Sequence, residues 1–254
     1  MITWSAKRQF LFGSAFFAIV LAIAAVPAYL YFFDKPQTCF DNKRNQNEVG
    51  IDCGGVCARA CIQDVLPEPI QLWARAFKVS NGVYNLVAYV QNANVNYVAN
   101  PAEYVFKVYD RENVLIGLRI GRSAVPPVKS FPIFEQTFNA GEREVGKVQF
   151  EFTEPLVWNR FESLRPEFVV SEPKLKNASS SPRIDAVLVN NTLKRYENVE
   201  VIAIVYGAGD NAIASSRTIV PVVGSQSSVD MVFTWPTAFS ESATKIDIIP
   251  KLPL

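Results

Sequence analysis

The residues best suited to chemistry lie together between positions 39 and 61. In the stretch CFDNKRNQNEVGIDCGGVCARAC, Cys39, Cys53, Cys57 and Cys61 are all the cysteines the sequence contains. An even, clustered set of cysteines can form disulfides or, as thiolates, hold a metal. Their intervals of thirteen, three and three residues lack the paired C-x2-C knuckles of most zinc sites. Two disulfides are therefore expected, with three pairings open. The same stretch offers oxygen donors in Asp41, Asn45, Asn47, Glu48 and Asp52, enough to surround a calcium ion. Lys43 stands where an EF-hand-type loop needs its third-position ligand, and no glycine occupies position six, so any calcium site here would need another geometry. A polar loop pinned by disulfides requires no ion, and no cofactor is expected.

Elsewhere the chain is poor in reactive groups. It has no histidine, which excludes Ser-His-Asp and Cys-His catalysis and histidine-ligated zinc or haem. No serine or cysteine nucleophile motif and no glycine-rich phosphate loop is present. Carboxylate pairs such as Glu142 and Glu144 sit in a charged turn beside Arg143. No enzyme is expected; the remote alternative is a carboxylate-dependent cell-wall hydrolase. Lysine and arginine number 25 against 24 aspartate and glutamate. Beyond residue 33 the count is 23 (25 less Lys7 and Arg8) against 24, a net of −1 that argues against nucleic-acid binding and a polybasic lipid-binding surface.

The element that decides where this chemistry operates is the uncharged run 10–33, FLFGSAFFAIVLAIAAVPAYLYFF. At ~1.5 Å per residue it spans about 36 Å as a helix, enough to cross a hydrocarbon core of ~30 Å. Pro27 is tolerable in that setting, and Tyr29 and Tyr31 suit an interfacial aromatic belt. Val26-Pro27-Ala28 is a loose signal-peptide cleavage site, but the apolar run continues past it to Phe33, so an uncleaved anchor is expected. Lys7 and Arg8 precede the run, whereas Asp34 and Lys35 after it cancel. The positive-inside rule then leaves residues 1–9 in the cytoplasm and sends the body across in a single pass. Disulfides in a collar spanning 34–66 agree with an oxidising exterior.

Beyond Leu66-Pro67-Glu68-Pro69, an extended linker, the chain reads as short strands broken by Asn, Gly and Pro clusters. Val148, Phe150 and Phe152 alternate with Gln149 and Glu151, and Val229, Met231 and Phe233 alternate likewise, the period of a half-buried strand. The two halves share landmarks in the same order: Tyr89–Asn92 with Leu188–Asn191, Val108-Tyr109 with Val205-Tyr206, Phe152–Pro155 with Phe233–Pro236, and Val169–Leu175 with Asp247–Leu252. The expectation is an all-β body of two tandem β-sandwiches, 67–172 and 173–254, of perhaps seven strands each. Tyr109 and Tyr206 are expected as core or corner tyrosines, Trp73, Trp158 and Trp235 as inter-domain packing, and Phe131–Phe134 as a buried strand.

Two resemblances refine this. The stretch with Cys39, Asp41, Asn45, Gln46, Glu48, Gly50, Asp52, Cys53, Gly54, Gly55 and Cys57 resembles a short cysteine-rich module of bacterial and archaeal surface proteins. Asn42 replaces that module's usual glycine. The resemblance implies an exported context and no activity. Phe106-Lys107-Val108-Tyr109-Asp110 resembles the pentapeptide of the FxLYD family of immunoglobulin-like domains, with valine for leucine; in the second half only Tyr206 is retained, and Asn92 and Asn191 fit the asparagine that ends the preceding strand. This implies immunoglobulin-like folds with no catalytic residues. The expected protein is a membrane-anchored extracytoplasmic interaction or structural protein that binds a protein or envelope component; the alternative is an accessory subunit of a membrane secretion or surface-appendage complex.

Overall fold

A computed structural model describes residues 4–33, 38–61, 66–161 and 168–251; the side chains of residues 5–7, 28 and 30–33 are outside that description. Asp34 and Lys35, which enter the orientation argument, and Leu252 lie outside the described residues. The chain is mostly β and divides into two compact units, Met1–Cys57 and Ala58–Leu254.

In the first unit, α1 (Trp4–Phe33) begins six residues before the apolar run and continues through Pro27. Its stretch Arg8–Pro27 has a mean hydropathy of 2.4 and is long and apolar enough to cross a membrane. The polar groups at its start are accommodated locally. The Ser14 hydroxyl donates to the Leu11 carbonyl at 3.0 Å, and the Arg8 guanidinium lies 5.4 Å from the Trp4 ring and 5.8 Å from the Phe12 ring.

Among the described residues of the second unit fourteen strands follow, in two sets with closely matching sheet orders. The first set is β1 (Ile70–Ser80), β2 (Val83–Gln91), β3 (Tyr97–Asp110), β4 (Leu115–Val125), β5 (Ser130–Asn139), β6 (Val145–Phe152) and β7 (Trp158–Arg160). The second is β8 (Phe168–Val170), β9 (Lys174–Lys176), β10 (Arg183–Asn190), β11 (Tyr196–Tyr206), β12 (Ala212–Val223), β13 (Ser227–Thr234) and β14 (Lys245–Pro250). The first set forms sheets in the order β1-β2-β5 and β4-β3-β6, with β7 also on β3. The second forms β13-β10-β8, with β9 also on β10, and β12-β11-β14. Replacing β2 by β10 and β3 by β11 carries β1, β5, β4 and β6 onto β8, β13, β12 and β14, so the internal repeat is real at the level of these strand pairings; β7 on β3 has no counterpart on β11 among the described residues.

The landmarks nevertheless align differently in space. Phe152 ends β6, whose counterpart is β14, whereas Phe233 lies in β13, the counterpart of β5. β8 precedes the expected boundary at Glu172 but pairs with β10, with Leu188 opposite Val170, so it belongs to the second set. A strand running into Thr-x-Pro or Pro-Lys is a common local pattern; pairing, which no local pattern carries, decides membership.

Three apolar clusters hold the unit together, and alternation assigns residues to them. Leu86, Ala88 and Val90 of β2 face Phe106 and Val108 of β3, forming the core of the first set. Val199, Val201, Ala203 and Val205 of β11 face Ile184, Leu188, Met231 and Phe233 in the second. The remaining faces meet each other: Phe77, Val87 and Phe134 pack against Ile202, Ile204, Tyr206 and Ala212. β11 is thus buried on both sides, and four sheets stack in layers. Phe131–Phe134 is buried as expected, split between two clusters: Phe131 and Ile133 face the first core and Phe134 the joint. Thr137, at φ 60°, accompanies a register shift after which Phe138 again faces the first core.

Candidate functional site

In the collar, Cys39 and Cys57 are bonded, and Cys53 and Cys61 are disulfide-bonded as well. The carboxylate oxygens nearby are spent on the loop itself, whereas the buried Asn45 Oδ1 has no hydrogen-bond partner among the described residues. The Asp52 carboxylate accepts from the N–H groups of Asp41 at 3.0 Å and Asn42 at 2.9 Å. Glu48 Oε2 accepts from Asn45 and Asp52 N–H, each at 3.2 Å. Asp41 accepts from the Asn45 side-chain amide at 2.8 Å and Lys43 N–H at 2.9 Å; the Asn45 amide leads in holding its carboxyl below the usual range, against the upward push of burial. Asn47 contributes a left-handed backbone, φ 66°, as does Asn42 at φ 57° where the related modules have glycine. At Gly55, φ 61°, a Cβ would overlap the Asn47 carbonyl, so no other residue fits. Glu48 Oε1 lies 3.0 Å from Cys57 Sγ, which would look like a metal cluster with Cys39. Both sulfurs are in a disulfide, with neither proton nor thiolate charge, so the contact is neither a hydrogen bond nor a ligand set.

The FxLYD-like residues serve the β3 strand. Phe106 and Val108 are fully buried in the first core, while Tyr109 is half-buried on the opposite face. Asp110 closes the turn: one oxygen accepts from Val114 N–H at 2.8 Å and Glu112 N–H at 3.0 Å, and the other meets Arg143 at 2.7 Å. Burial pushes its carboxyl up, but these partners outweigh it and hold it below the usual range. Tyr206 is buried in the joint rather than in either two-sheet core, with Lys245 Nζ 4.9 Å from its ring centre; burial, then Asp247, pushes its hydroxyl up.

The asparagines form the closest chemical match between the sets. Asn92 and Asn190 are fully buried. Asn92 donates to the Pro126 carbonyl at 2.8 Å and accepts from Asn94 N–H at 2.8 Å. Asn190 donates to the Gly224 and Lys194 carbonyls at 2.7 Å each and accepts from Thr192 N–H at 3.0 Å. In both, the amide reaches a carbonyl 34 residues ahead. The counterpart of Asn92 is therefore Asn190 and not Asn191, because strand alternation points Asn190 inward and leaves Asn191 exposed. Asn92→Ala and Asn190→Ala are each expected to cost about 2 kcal/mol by stranding buried carbonyls, against less than ~0.5 for Asn191→Ala; urea midpoints of the three variants check it.

None of these residues lines a further concavity of the second unit, which sequence reasoning missed. It is a groove of about 890 Å³ where the two strand sets meet. One wall is β1 from Ala74 to Asn81 with Val145–Val148 of β6; the other is Asn211–Ala214 with Trp235 and the loop 237–240. Its charged residues are Arg75, Lys78 and Lys147, with no carboxylate among the lining residues. None of the three takes part in an ion pair among the described residues. Arg75 donates to Asn211 Oδ1 and, at 3.0 Å, to the Ala212 carbonyl, so it ties the sets together through neutral acceptors. Phe77, Ile213 and the edge-to-face pair Trp235 and Phe239, 5.2 Å apart, supply apolar surface. Trp73 stacks on Tyr89 at 5.4 Å, and both pack against the joint cluster. Trp158 instead belongs to the first core.

Carboxylates gather elsewhere, in a smaller cleft of about 390 Å³ lined by Glu68, Glu151 and Glu154. Glu151 is paired with Lys107 at 2.6 Å and Glu154 with Arg122 at 3.1 Å. No protein-family model matches this chain, and no curated protein is significantly similar to it in sequence.

Proposed function

We propose that the chain is a non-enzymatic, single-pass membrane protein whose extracytoplasmic body carries two immunoglobulin-like domains of the FxLYD kind and binds another protein at their joint. The observation that carries this reading is the basic groove, seated on a packed inter-set cluster and lined by an open strand edge. A strand edge without a further backbone partner, set beside apolar side chains, is where an extended segment of another protein can add by strand pairing. The α1 span supports anchorage, and bonded cysteines support an oxidising compartment. A hydrolase would have to work from the smaller cleft, where Lys107 and Arg122 already engage two of the three carboxylates.

The test is a photo-crosslinking residue placed at Thr237, on the groove, and at Val232, exposed on β13, in the full chain in its native membrane. A discrete protein adduct from Thr237 and none from Val232 is expected. Absence of an adduct, or the same adducts from both positions, overturns the reading. A partner that remains stoichiometric through detergent purification assigns the chain to a standing complex as an accessory subunit.

A further inference from the structure

We propose that the groove takes an extended, acidic peptide segment, which adds to β1 as a further strand. This rests on the binding role above and specifies the chemistry of the partner. β1 is the outer strand of its sheet, paired only with β2 along Ile70–Ser80. Between its two register shifts, after Gln71 and after Lys78, the pairing with β2 is regular from Trp73 to Lys78. Along that stretch no backbone bond to another loop or strand occupies the far side among the described residues. An edge of this kind presents alternate N–H and C=O groups that an extended peptide can satisfy, and pockets beside it then select side chains.

Charge selects the peptide. Basic residues on a strand edge deter pairing with a like strand. Here Arg75 and Lys78 stand on the edge itself and Lys147 on the facing strand β6, with no acidic residue among the groove's lining. Arg75 and Lys78, three apart on this regularly paired stretch, point to opposite faces of β1, with Arg75 turned to the second set. An incoming strand that carries Asp or Glu on the Lys78 side meets favourable charge there, and a basic one meets an uncompensated cation. Alternate side chains of the same peptide point the opposite way along a strand. Aliphatic residues at those positions fit the apolar wall of Ile213, Trp235 and Phe239. The preferred sequence therefore alternates acidic and aliphatic residues over about six to eight positions.

The rigid joint makes the site selective rather than adaptable. β1 belongs to the first set, Asn211–Ala214 and Trp235 to the second, and the Arg75 bonds hold the two walls in register. Little ordering of the protein is then needed on binding, which favours affinity.

The test uses the full chain in nanodiscs of zwitterionic lipid and a fluorescent eight-residue peptide of alternating Glu and Val, followed by anisotropy. Three comparison probes are the Lys-Val peptide, the Glu-Val peptide N-methylated at alternate residues, and dextran sulfate. Saturable binding of Glu-Val is expected, weakened about tenfold or more when salt rises from about 50 to about 500 mM. The Lys-Val and N-methylated peptides should not bind measurably. Lys78→Glu and Lys147→Glu, both at exposed side chains outside the joint, should each lower affinity about tenfold with thermal midpoints unchanged. Equal binding of the N-methylated peptide, or dextran sulfate competing while the peptide's backbone is immaterial, overturns strand addition and leaves a plain polyanion site. Unchanged affinity in both lysine variants, or no binding of Glu-Val, overturns the proposal. If the peptide fails while Thr237 still crosslinks a protein, only this inference falls; if Thr237 crosslinks nothing, the binding role falls as well.

Discussion

Replacing Ile204 by aspartate is expected to remove at least about 4 kcal/mol of stability and to uncouple the two strand sets. Ile204 is fully buried on the face of β11 turned away from its own two-sheet core, among Phe77, Val87 and Phe134 of the other set. The cations that touch the cluster are already engaged: Lys245, over the Tyr206 ring, with Asp247, and Arg217, over the Phe134 ring, with Glu200. The nearest charge across the β11–β14 pairing is Asp247, directly opposite Ile204 and already engaged with Lys245 at 2.9 Å. Burying an uncompensated charge beside a like charge is among the most costly single substitutions. Ile204→Val, which removes one methylene, should cost only about 1 kcal/mol. Calorimetry checks both: wild type and Ile204→Val should unfold in one transition, and Ile204→Asp in two, the earlier belonging to the second set. A single unshifted transition in Ile204→Asp would mean that the sets do not depend on one another at this contact.

Opening the Cys39–Cys57 bond should loosen the collar without touching the strands. The bond closes a loop with a sequence separation of 18, for which the chain-entropy account gives a contribution of about 3 kcal/mol. Residues 38–57 offer little else, since most of their apolar side chains, including Phe40, Val49, Ile51 and Val56, are exposed. Their order comes from the Cys39–Cys57 bridge, from the disulfide at Cys53 and from the hydrogen bonds that Glu48 and Asp52 make to backbone N–H groups. Trypsin cleavage after Lys43 and Arg44 reports the open state when opening is fast relative to cutting. In a Cys39→Ser, Cys57→Ser variant this cleavage should accelerate about a hundredfold, as 3 kcal/mol dictates. The melting of the strand body should not move. A rate within a factor of about three of wild type would show that the carboxylate network holds the loop unaided.

How much of this could be read in the sequence varies by element, for identifiable reasons. The apolar run of α1 is visible because a span must be continuously apolar, although the helix also takes in Trp4–Gln9, which no hydropathy pattern marks. Alternation gave β6 and β13, each with one face in a core and one in water. β11 departs from alternation, and the unbroken run Val201–Tyr206 is the signature of a strand buried on both faces. That run was the available clue to the joint, and hence to the groove above it. Charge and edge exposure in the groove come from β1, β6 and β12, which lie far apart in the chain. No spacing rule joins Lys78 to Lys147 or Trp235. The pairing of the cysteines was equally beyond the sequence, because all three possibilities close loops of acceptable length. Asn190 and Asn191 are adjacent and chemically identical, and only strand parity, which the local motif does not carry, makes Asn190 the buried one.

The joint also has a direction. The outer face of β1-β2-β5 in the first set meets the β12-β11-β14 face in the second, and these are not counterparts: the counterpart of β12-β11-β14 is β4-β3-β6. Unlike faces in contact make a head-to-tail stack, which translation can continue, whereas like faces would have formed a closed pair. A stack of this kind can lengthen by whole duplicated units, each arriving with the surface that its predecessor requires.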